Sequence, residues 1–356
     1  MNNYVPFLKL KVNEIAALSV LAEDIKGAIV PFFDLAKKDE MTGDEFKVMV
    51  TKGAKSLTRH VADFPAFFLD NFDIDDTLAI DGEHNYAYVL TAFRGMNFIP
   101  VVGLDRVVGR NELVFTAKKN GLIKSDSIAL RLLSDDFENF ALVADDIAKL
   151  MKLGHGLFSR WILVLDNRVC ADIAPLKRAA SLANFLVESA KLMSFQAIIV
   201  TGSSLPPSIG DILKVLTERE HGRTELSGYR ALNAQVGGLN LYCGDYTVVS
   251  PLYSDVELPV EILQNVMTPK VVYTYGDVHY MARGGAFKTH PRAHFQYNDI
   301  CEQIIKKHFY RQSAFSFGDN FLWEKAQFVG KQVTPNSILK PTINTHITYM
   351  FRNFKV

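Results

Sequence analysis

Eight short apolar runs, spread along the first 250 residues, constrain the fold of this chain more than any other feature. Most of the runs contain no polar alternation, which is typical of strands buried on both faces, as parallel strands are in α/β proteins. The pattern therefore predicts eight buried strands. The runs are Tyr4–Lys11, Ala28–Asp34, Pro65–Asp70, Asn97–Asp105, Ser127–Leu133, Trp161–Asp166, Gln196–Gly202 and Leu241–Ser250.

Segments with helical spacing separate most of these runs. The clearest is Ile173–Met193, in which leucines and alanines recur every three or four residues. The same spacing predicts helices over Asn13–Ile25, Gly43–Leu57, Asp135–Lys152 and Ser208–Arg219. Side chains that can accept a hydrogen bond from the first helical turn stand at three of the expected starts. These expected N-caps are Thr42, Ser134 and Ser208.

The alternation of strands and helices predicts a closed α/β barrel. The alternative is a doubly wound open sheet, which would be favoured by a glycine fingerprint after an early strand. Val12-Asn13-Glu14 follows the first run here, and the nearest glycine match, Gly154–Ser159, precedes a strand instead of following one. No P-loop motif is present either. We therefore predict a TIM-like (β/α)8 barrel over residues 1–255.

The sequence pattern changes after residue 255. Val271–Tyr275 and Val278–Arg283 flank Gly276-Asp277, which predicts a β-hairpin. Asn298–Tyr310 predicts a helix, and Thr342–Phe354 is aromatic and mixed. No linker rich in Pro, Gly or Ser separates this part from the barrel. We therefore expect residues 256–356 to form a C-terminal α+β appendage packed on the barrel as part of the same globule.

Composition excludes several classes of protein. Lys plus Arg and Asp plus Glu both number 39, so no global charge attracts nucleic acid or an anionic membrane. Cys170, Cys243 and Cys301 are widely separated, which argues against a disulfide framework or a zinc site. No stretch approaches the roughly 18 apolar residues of a membrane span. We predict a cytoplasmic protein of a reducing compartment, for which nucleic acid and membranes are not the expected partners.

In a (β/α)8 barrel the functional groups lie at the carboxyl ends of the strands, where the loops meet at one mouth. We predict Asp34, Asp166 and Asp245 as catalytic groups, because each ends or interrupts an apolar run. Carboxylates beside Lys and Arg could bind a divalent cation and a phosphate, or perform acid/base chemistry on a sugar or a phosphoester. No particular set of metal ligands is predicted. The predicted ligand-binding residues at the mouth are Lys9, Lys11, Arg131 and Tyr246.

Each of these residues also has a simpler interpretation. A strand-end aspartate commonly caps the helix that follows, and Asp70 and Asp166, each followed by Asn, fit turns. Arg131 and Asp245 lie within apolar runs, so each needs a partner, and a structural ion pair would supply one. His346, alone on an apolar stretch, is typical of a structural histidine.

Short motifs along nearly the whole chain resemble those of the phage-type beta protein family, whose members occur in phage genomes and bacterial mobile elements. The resemblance implies a barrel-like fold and a role in bacteriophage–host conflict, as defence or counter-defence. It also adds Arg283 to the predicted ligand-binding residues. The matching segments are Tyr4–Lys11, Ile29–Asp34, Leu130–Leu132, Gly244–Tyr246, Ser250-Pro251, Tyr273-Thr274, Arg283-Gly284, Phe317–Asp319 and Asn344–Thr348.

Two functional hypotheses follow. In the first, the charged mouth binds a phosphorylated or nucleotide-like ligand, which requires an open and concave mouth. In the second, the barrel is a scaffold, and the appendage binds another phage or host protein or a second copy of the chain. The second hypothesis requires an exposed apolar patch, expected around Phe315–Trp323, together with a mouth that is plugged or shallow.

Overall fold

A closed barrel of eight parallel strands forms the main body of the protein. The computed structural model describes residues 3–253 and 267–354. In chain order the strands are β1 (Tyr4–Lys9), β2 (Phe32–Asp34), β3 (Phe67–Asp70), β4 (Ala79–Ile80), β5 (Glu83–His84), β6 (Phe98–Gly103), β7 (Ser127–Leu133), β8 (Arg160–Val169), β9 (Ala197–Ser203), β10 (Thr217–Gly222), β11 (Leu241–Asp245), β12 (Lys270–Tyr275) and β13 (Val278–Arg283). The barrel order is β1-β11-β9-β8-β7-β6-β3-β2, and β1 pairs with β2 to close it. The predicted (β/α)8 fold is confirmed.

Helices cover the outside of the barrel, and several follow the predicted pattern. Thr42 caps the helix over Gly43–His60 with a full capping box, as expected. The helix predicted from Asp135 begins later, because Asn139 and not Ser134 accepts the first hydrogen bond. The helices are α1 (Val12–Ser19), α2 (Glu23–Lys26), α3 (Gly43–His60), α4 (Asn85–Ala92), α5 (Val108–Lys119), α6 (Phe140–Leu153), α7 (Pro175–Ala190), α8 (Thr224–Gln235), α9 (Gln296–Ile305), α10 (Phe317–Ala326) and α11 (Leu339–Asn353).

The helix predicted over Ser208–Arg219 is wrong. Ser208 caps only a short 3-10 turn, and the chain then enters β10. β10 pairs antiparallel with β13 of the predicted hairpin, so a three-stranded sheet forms in the order β10-β13-β12. The free edge of the hairpin supplies backbone partners to this segment, and such tertiary pairing overrides a weak helical periodicity.

Aromatic rings fill the centre of the barrel. Phe7 stacks on Phe32 with ring centroids 4.3 Å apart, and Phe32 stacks on Phe68 at 5.3 Å. These rings belong to an interior cluster with Val101 and Val164. Because strand side chains alternate between the two faces, the inward positions two residues farther along hold the polar groups of the mouth.

The C-terminal residues have a small core of their own, formed by β12, β13, α9 and α10. Helix α11 lies against the barrel, where Ile343, Ile347 and Met350 join the main core. The amide of Asn344 donates to the carbonyl oxygen of Ala17 at 3.2 Å. The predicted boundary at residue 255 lies outside the described residues, so the division into two units stays a prediction. None of the described helices is long and apolar enough to cross a bilayer.

Gly318, at the start of α10, tests how closely the C-terminal helices pack. A Cβ atom at this position would lie 2.0 Å from the carbonyl oxygen of Pro341. We expect Gly318→Ala to lower the free energy of unfolding by about 2–4 kcal/mol, because backbone must move. Gly109→Ala in α5 is the control, since its Cβ would meet nothing within 4 Å. Urea denaturation that shows equal stability for the two variants would contradict this packing.

Candidate ligand site at the barrel mouth

Arg131 lies at the centre of the mouth, on the inner face of β7, and is 1% exposed. Its guanidinium group donates to Asp34 at 2.6 Å, to Asp70 at 2.9 Å and to Asp166 at 2.6 Å. It also donates to the hydroxyl oxygen of Tyr246 at 2.9 Å. With Nε bonded to Asp166 at 3.1 Å, every nitrogen of the group has a partner. Arg131 is therefore saturated by the protein.

Strand register explains why the carboxylates meet. Lys9 of β1 is the register partner of Asp34 of β2, and Asp34 is the partner of Asp70 of β3. Three neighbouring strands thus end in charged groups at one level, and Asp166 reaches the same level from β8. Repulsion among these buried carboxylates would oppose closure of the barrel unless a cation lay between them. Arg131 supplies that cation.

Asp70 has two further arginine partners. Arg106 donates to one carboxylate oxygen at 2.8 Å, and Arg110, which is fully buried, donates to the other at 2.9 Å. Burial alone would raise the pKa of Asp70, but Arg106, Arg110 and Arg131 together lower it to about 2. Asp70 therefore remains ionised at neutral pH and acts as the anchor of the arginines.

Three guanidinium groups surround the ring of Phe72, in the loop that follows β3. The central carbons of Arg106, Arg131 and Arg168 lie 4.7, 4.5 and 4.5 Å from the ring centre. Arg168 reaches this position from a bulge in β8, where its φ of 51° is in the left-handed region. Its side chain donates to Asp73 at 3.0 Å. Positive charge is thus concentrated around one aromatic ring.

Three buried polar atoms of this cluster have no hydrogen-bond partner among the residues that the structure describes. They are Nε of Arg106, Nη1 of Arg168 and Oδ2 of Asp73. Buried polar groups are nearly always paired in folded proteins, so unpaired groups of this kind are available to bind a ligand. Asp73 and Phe72 also line a cavity of about 590 Å³ between the loops that follow β2 and β3. Lys37 and Lys38 line the same cavity, together with Asp39, Glu40 and Asp75.

Lys9, Glu14 and Asp34 have pKa values near neutrality. Burial lowers the pKa of Lys9 to about 8, although Asp73 opposes the shift. Burial raises the pKa of Glu14 to about 7 and that of Asp34 to about 6, against the attraction of nearby cations. The ammonium group of Lys9 lies 3.3 Å from the ring centre of Tyr253, and that of Lys11 lies 5.2 Å from it. This side of the mouth can therefore exchange protons near physiological pH.

Asp245 does not join this network. Strand alternation turns its side chain outward, whereas the side chain of Tyr246, the next residue, points into the barrel. Its carboxylate accepts hydrogen bonds from Tyr4 at 2.8 Å, from Arg223 at 2.6 Å and from His346 at 3.0 Å. Burial would raise the pKa of Asp245, but His346 and Arg223 lower it below its ordinary value. A catalytic role for Asp245 stays a prediction, and its contacts join the barrel to α11.

A buried chain of hydrogen bonds continues from Asp245 into the C-terminal sheet. Nδ1 of His346 lies 2.7 Å from the hydroxyl oxygen of Thr274, and this oxygen lies 2.9 Å from Nδ1 of His279. Burial lowers the pKa of both histidines. Each imidazole is therefore neutral at pH 7, and the hydrogen bonds of the chain are complete when Asp245 accepts a hydrogen bond from the Nε2–H group of His346.

Arg283 also lies apart from the mouth network. Its guanidinium donates to the hydroxyl of Thr268 at 3.0 Å and to the carbonyl oxygen of Leu213 at 2.7 Å. Of the predicted residues, the structure therefore brings Lys9, Asp34, Arg131, Asp166 and Tyr246 together. Lys11 lies at their edge, over Tyr253. Within the described part of the chain, no three His, Cys, Asp or Glu side chains are grouped as metal ligands.

Sequence reasoning missed part of the cluster. Asp70 was assigned to a turn, although it ends its strand at the same level as Asp34. Arg110 lies in α5, after the end of β6, and Arg168 lies in β8 beyond Asp166, at which the apolar run ends, so neither occupies a strand-end position in the sequence. The signal that could have found Arg168 is the Asp166-Asn167-Arg168 segment, because a turn at a strand end can bring the following side chain back toward the mouth.

The chain that carries these short motifs matches the sequence profile of a known protein family. The profile of the Beta protein family matches residues 4–352, which is nearly the whole chain. The protein belongs to the Beta protein family. The resemblance to this family is thereby confirmed. The barrel mouth and the hydrogen-bonded residues around His346 both lie within the matched residues. No curated protein matches the chain.

The central position of Arg131 gives a stability prediction. Arg131→Met keeps most of the side-chain volume but leaves three buried carboxylates without their shared cation. We expect the free energy of unfolding to fall by about 3–5 kcal/mol. Arg160→Met is the control, because Arg160 is exposed at the other end of the barrel. A loss below about 1 kcal/mol in urea denaturation would show that Arg131 does not hold the mouth together.

The neutral histidines give a pH prediction. The pKa of His279 is lower in the folded protein than its ordinary value of 6.5, so the unfolded chain takes up the proton first. The stability that His279 contributes is therefore present above pH 6.5 and is lost as the pH falls below it. Between about pH 7.5 and about pH 5.5, His279→Asn should lose about 1 kcal/mol less stability than the wild type. Equal losses in urea denaturation at the two pH values would contradict this assignment.

Proposed function

We propose that the barrel mouth binds a small anionic ligand that also carries a hydroxyl group, such as a phosphorylated or nucleotide-like compound. The observation that carries this proposal is the set of three unpaired buried atoms around Phe72, on Arg106, Arg168 and Asp73. Two of these atoms are N–H donors on cations, and the third is a carboxylate oxygen.

The unpaired donors match the chemistry of a phosphate or carboxylate. Arginine binds such groups through charge-assisted hydrogen bonds, which are among the strongest that proteins form. Arg131 cannot serve in this way, because its donors are already used by Asp34, Asp70 and Asp166. Arg106 and Arg168 each keep one nitrogen whose hydrogen atoms no described residue accepts. They are therefore the proposed anion ligands, and Arg131 holds the carboxylates that position Arg106.

The free carboxylate oxygen of Asp73 indicates a ligand that also donates a hydrogen bond. A carboxylate beside an anion would repel it, unless the ligand presents a hydroxyl group at that point. Sugar phosphates and nucleotides carry both groups. The adjoining cavity of about 590 Å³ has the volume of a typical small-molecule site.

Lys9 and Asp34 are the proposed proton-transfer groups of this site. A useful acid or base has a pKa near the working pH, and the pKa values of these two residues are about 8 and about 6. Among the described residues, the ammonium group of Lys9 donates one hydrogen bond, to the carbonyl oxygen of Leu252 at 3.5 Å, and it also lies over the ring of Tyr253. Asp166 serves in this proposal to hold Arg131 and Tyr246.

The biological setting that we propose is bacteriophage–host conflict, as defence or counter-defence. The support for it is membership of the Beta protein family together with the occurrence of such genes in phage genomes and mobile elements. We also propose a cytoplasmic location in the bacterial or infected cell. The three cysteines are buried free thiols, which fits a reducing compartment.

Calorimetric titration with inorganic pyrophosphate and with AMP tests the mouth. We expect saturable binding that Arg168→Gln weakens about tenfold or more, because a charge-assisted hydrogen bond is lost. Arg59→Gln, which changes an exposed arginine in the last turn of α3, should bind like the wild type. The proposal would be contradicted if neither probe showed saturable binding, or if Arg168→Gln bound the probes with the affinity of the wild type.

The scaffold hypothesis has one observation in its favour. The appendage exposes apolar side chains, with Trp323 45%, Phe295 49% and Phe328 50% exposed. The rings of Phe295 and Phe328 lie 6.3 Å apart, so they form one patch, which could bind a protein partner or a second copy. The same titration separates the two functions, because a pure scaffold would take up neither pyrophosphate nor AMP.

A further inference from the structure

The amino-terminal end of the barrel, opposite the mouth, is not filled. Barrel interiors of this type are normally packed with layers of bulky branched side chains. Here the inward positions at the strand starts, each two residues before a member of the interior cluster, carry small or polar side chains. These residues are Ala66, Asn97, Ser127, Arg160, Ala197 and Asn240, whereas Val30 at the same level is branched and apolar. A cavity of about 560 Å³ results.

The floor of this cavity is apolar and open to solvent. Phe68, Ile99 and Ile199 line it from the next layer of the barrel. Ile162 and Ala66 also face the lumen, yet both are only half-buried. Inward-facing apolar side chains in a closed barrel are normally buried, so solvent enters the lumen from this end. Apolar surface in a concave site of this volume is typical of a ligand pocket.

The rim of the cavity is polar and carries uncompensated positive charge. Arg160 forms no side-chain hydrogen bond or ion pair with any described residue. Lys124 donates to the carbonyl oxygen of Gly95, whereas the carboxylate of Asp126 is already paired with Lys118 at 3.1 Å. Arg160 and Lys124 therefore remain at the entrance without an acidic partner in the described parts of the chain.

Hydrogen bonds hold the rim in place. The amide of Asn97 donates to the carbonyl oxygen of Pro65 at 2.6 Å, and the amide of Asn240 donates to that of Gln196 at 2.8 Å. Each bond ties the start of one barrel strand to the start of its neighbour. The cavity is therefore preformed, and a ligand would not have to order the loops around it.

We propose that this cavity is a second ligand site, which takes an amphipathic anion with an aromatic or short alkyl body and one acidic head group. The body would lie on the floor formed by Phe68, Ile99 and Ile199, and the head group would meet Arg160 and Lys124 at the rim. Burial of the body supplies the affinity, and the cations set its orientation. The site is independent of the mouth, which lies at the other end of the strands.

Fluorescence titration with anilinonaphthalene sulfonate, an aromatic anion, tests this site. We expect saturable binding with one site per chain. Ala197→Phe places a ring in the cavity and should weaken binding about tenfold or more. Arg160→Gln removes the rim charge and should weaken binding about threefold or more, with an unchanged melting temperature.

Two controls locate the probe. Phe328→Ser removes an exposed ring of the appendage, and Arg168→Gln alters the mouth, so both should bind the probe like the wild type. Conversely, Ala197→Phe should leave pyrophosphate binding unchanged, which separates this proposal from that for the mouth. The proposal is overturned if Ala197→Phe binds the probe as tightly as the wild type, or if Phe328→Ser abolishes binding. If Ala197→Phe does not fold, Arg160→Glu on the exposed rim decides in its place.

Discussion

The shared cation at Arg131 is the interaction on which the rest of the structure depends. Closing a parallel barrel brings the carboxyl ends of its strands into a ring, and three of those ends carry Asp34, Asp70 and Asp166. Buried carboxylates that bond the same cation lie close enough to repel one another, and burial has removed the water that would stabilise their charges. A guanidinium group can serve three carboxylates at once, because it offers five donors in a plane. The stacked phenylalanines below it complete the interior without further charge.

The arginines at the barrel mouth fall into two groups. Some have all their donors bonded within the protein, and others have a spare donor. Arg131 and Arg110 are satisfied by the protein, so their charges contribute to the fold. Arg106 and Arg168 contact the same ring of Phe72, but each keeps one unpaired N–H group. Hydrogen-bond satisfaction therefore distinguishes the two roles better than charge or burial does. A mouth that is closed at its centre by Arg131 can still offer binding groups along its edge.

Two neighbouring residues at the carboxyl end of β11 belong to different parts of the structure. One lies in the barrel mouth, and the other contacts the C-terminal part. Tyr246 points into the barrel and bonds Asp166, whereas Asp245 points outward to His346 of α11. Most helices meet the barrel through apolar contacts, but α11 adds a buried polar chain through Thr274 to His279. Such a chain requires every partner in place, so it fixes the position of α11 more narrowly than apolar packing would.

The sequence by itself determined the barrel, the level of the strand-end charges and the need of Arg131 for a partner. Uninterrupted apolar runs separated by helices have few other solutions, and a charge between Leu130 and Leu132 cannot stay unpaired. Only the tertiary structure decided which carboxylates meet Arg131, that Asp245 turns away from them, that Arg168 returns through a bulge and that Thr217–Gly222 is a strand. These outcomes depend on register and closure, which join residues far apart in the chain and leave no local pattern in it.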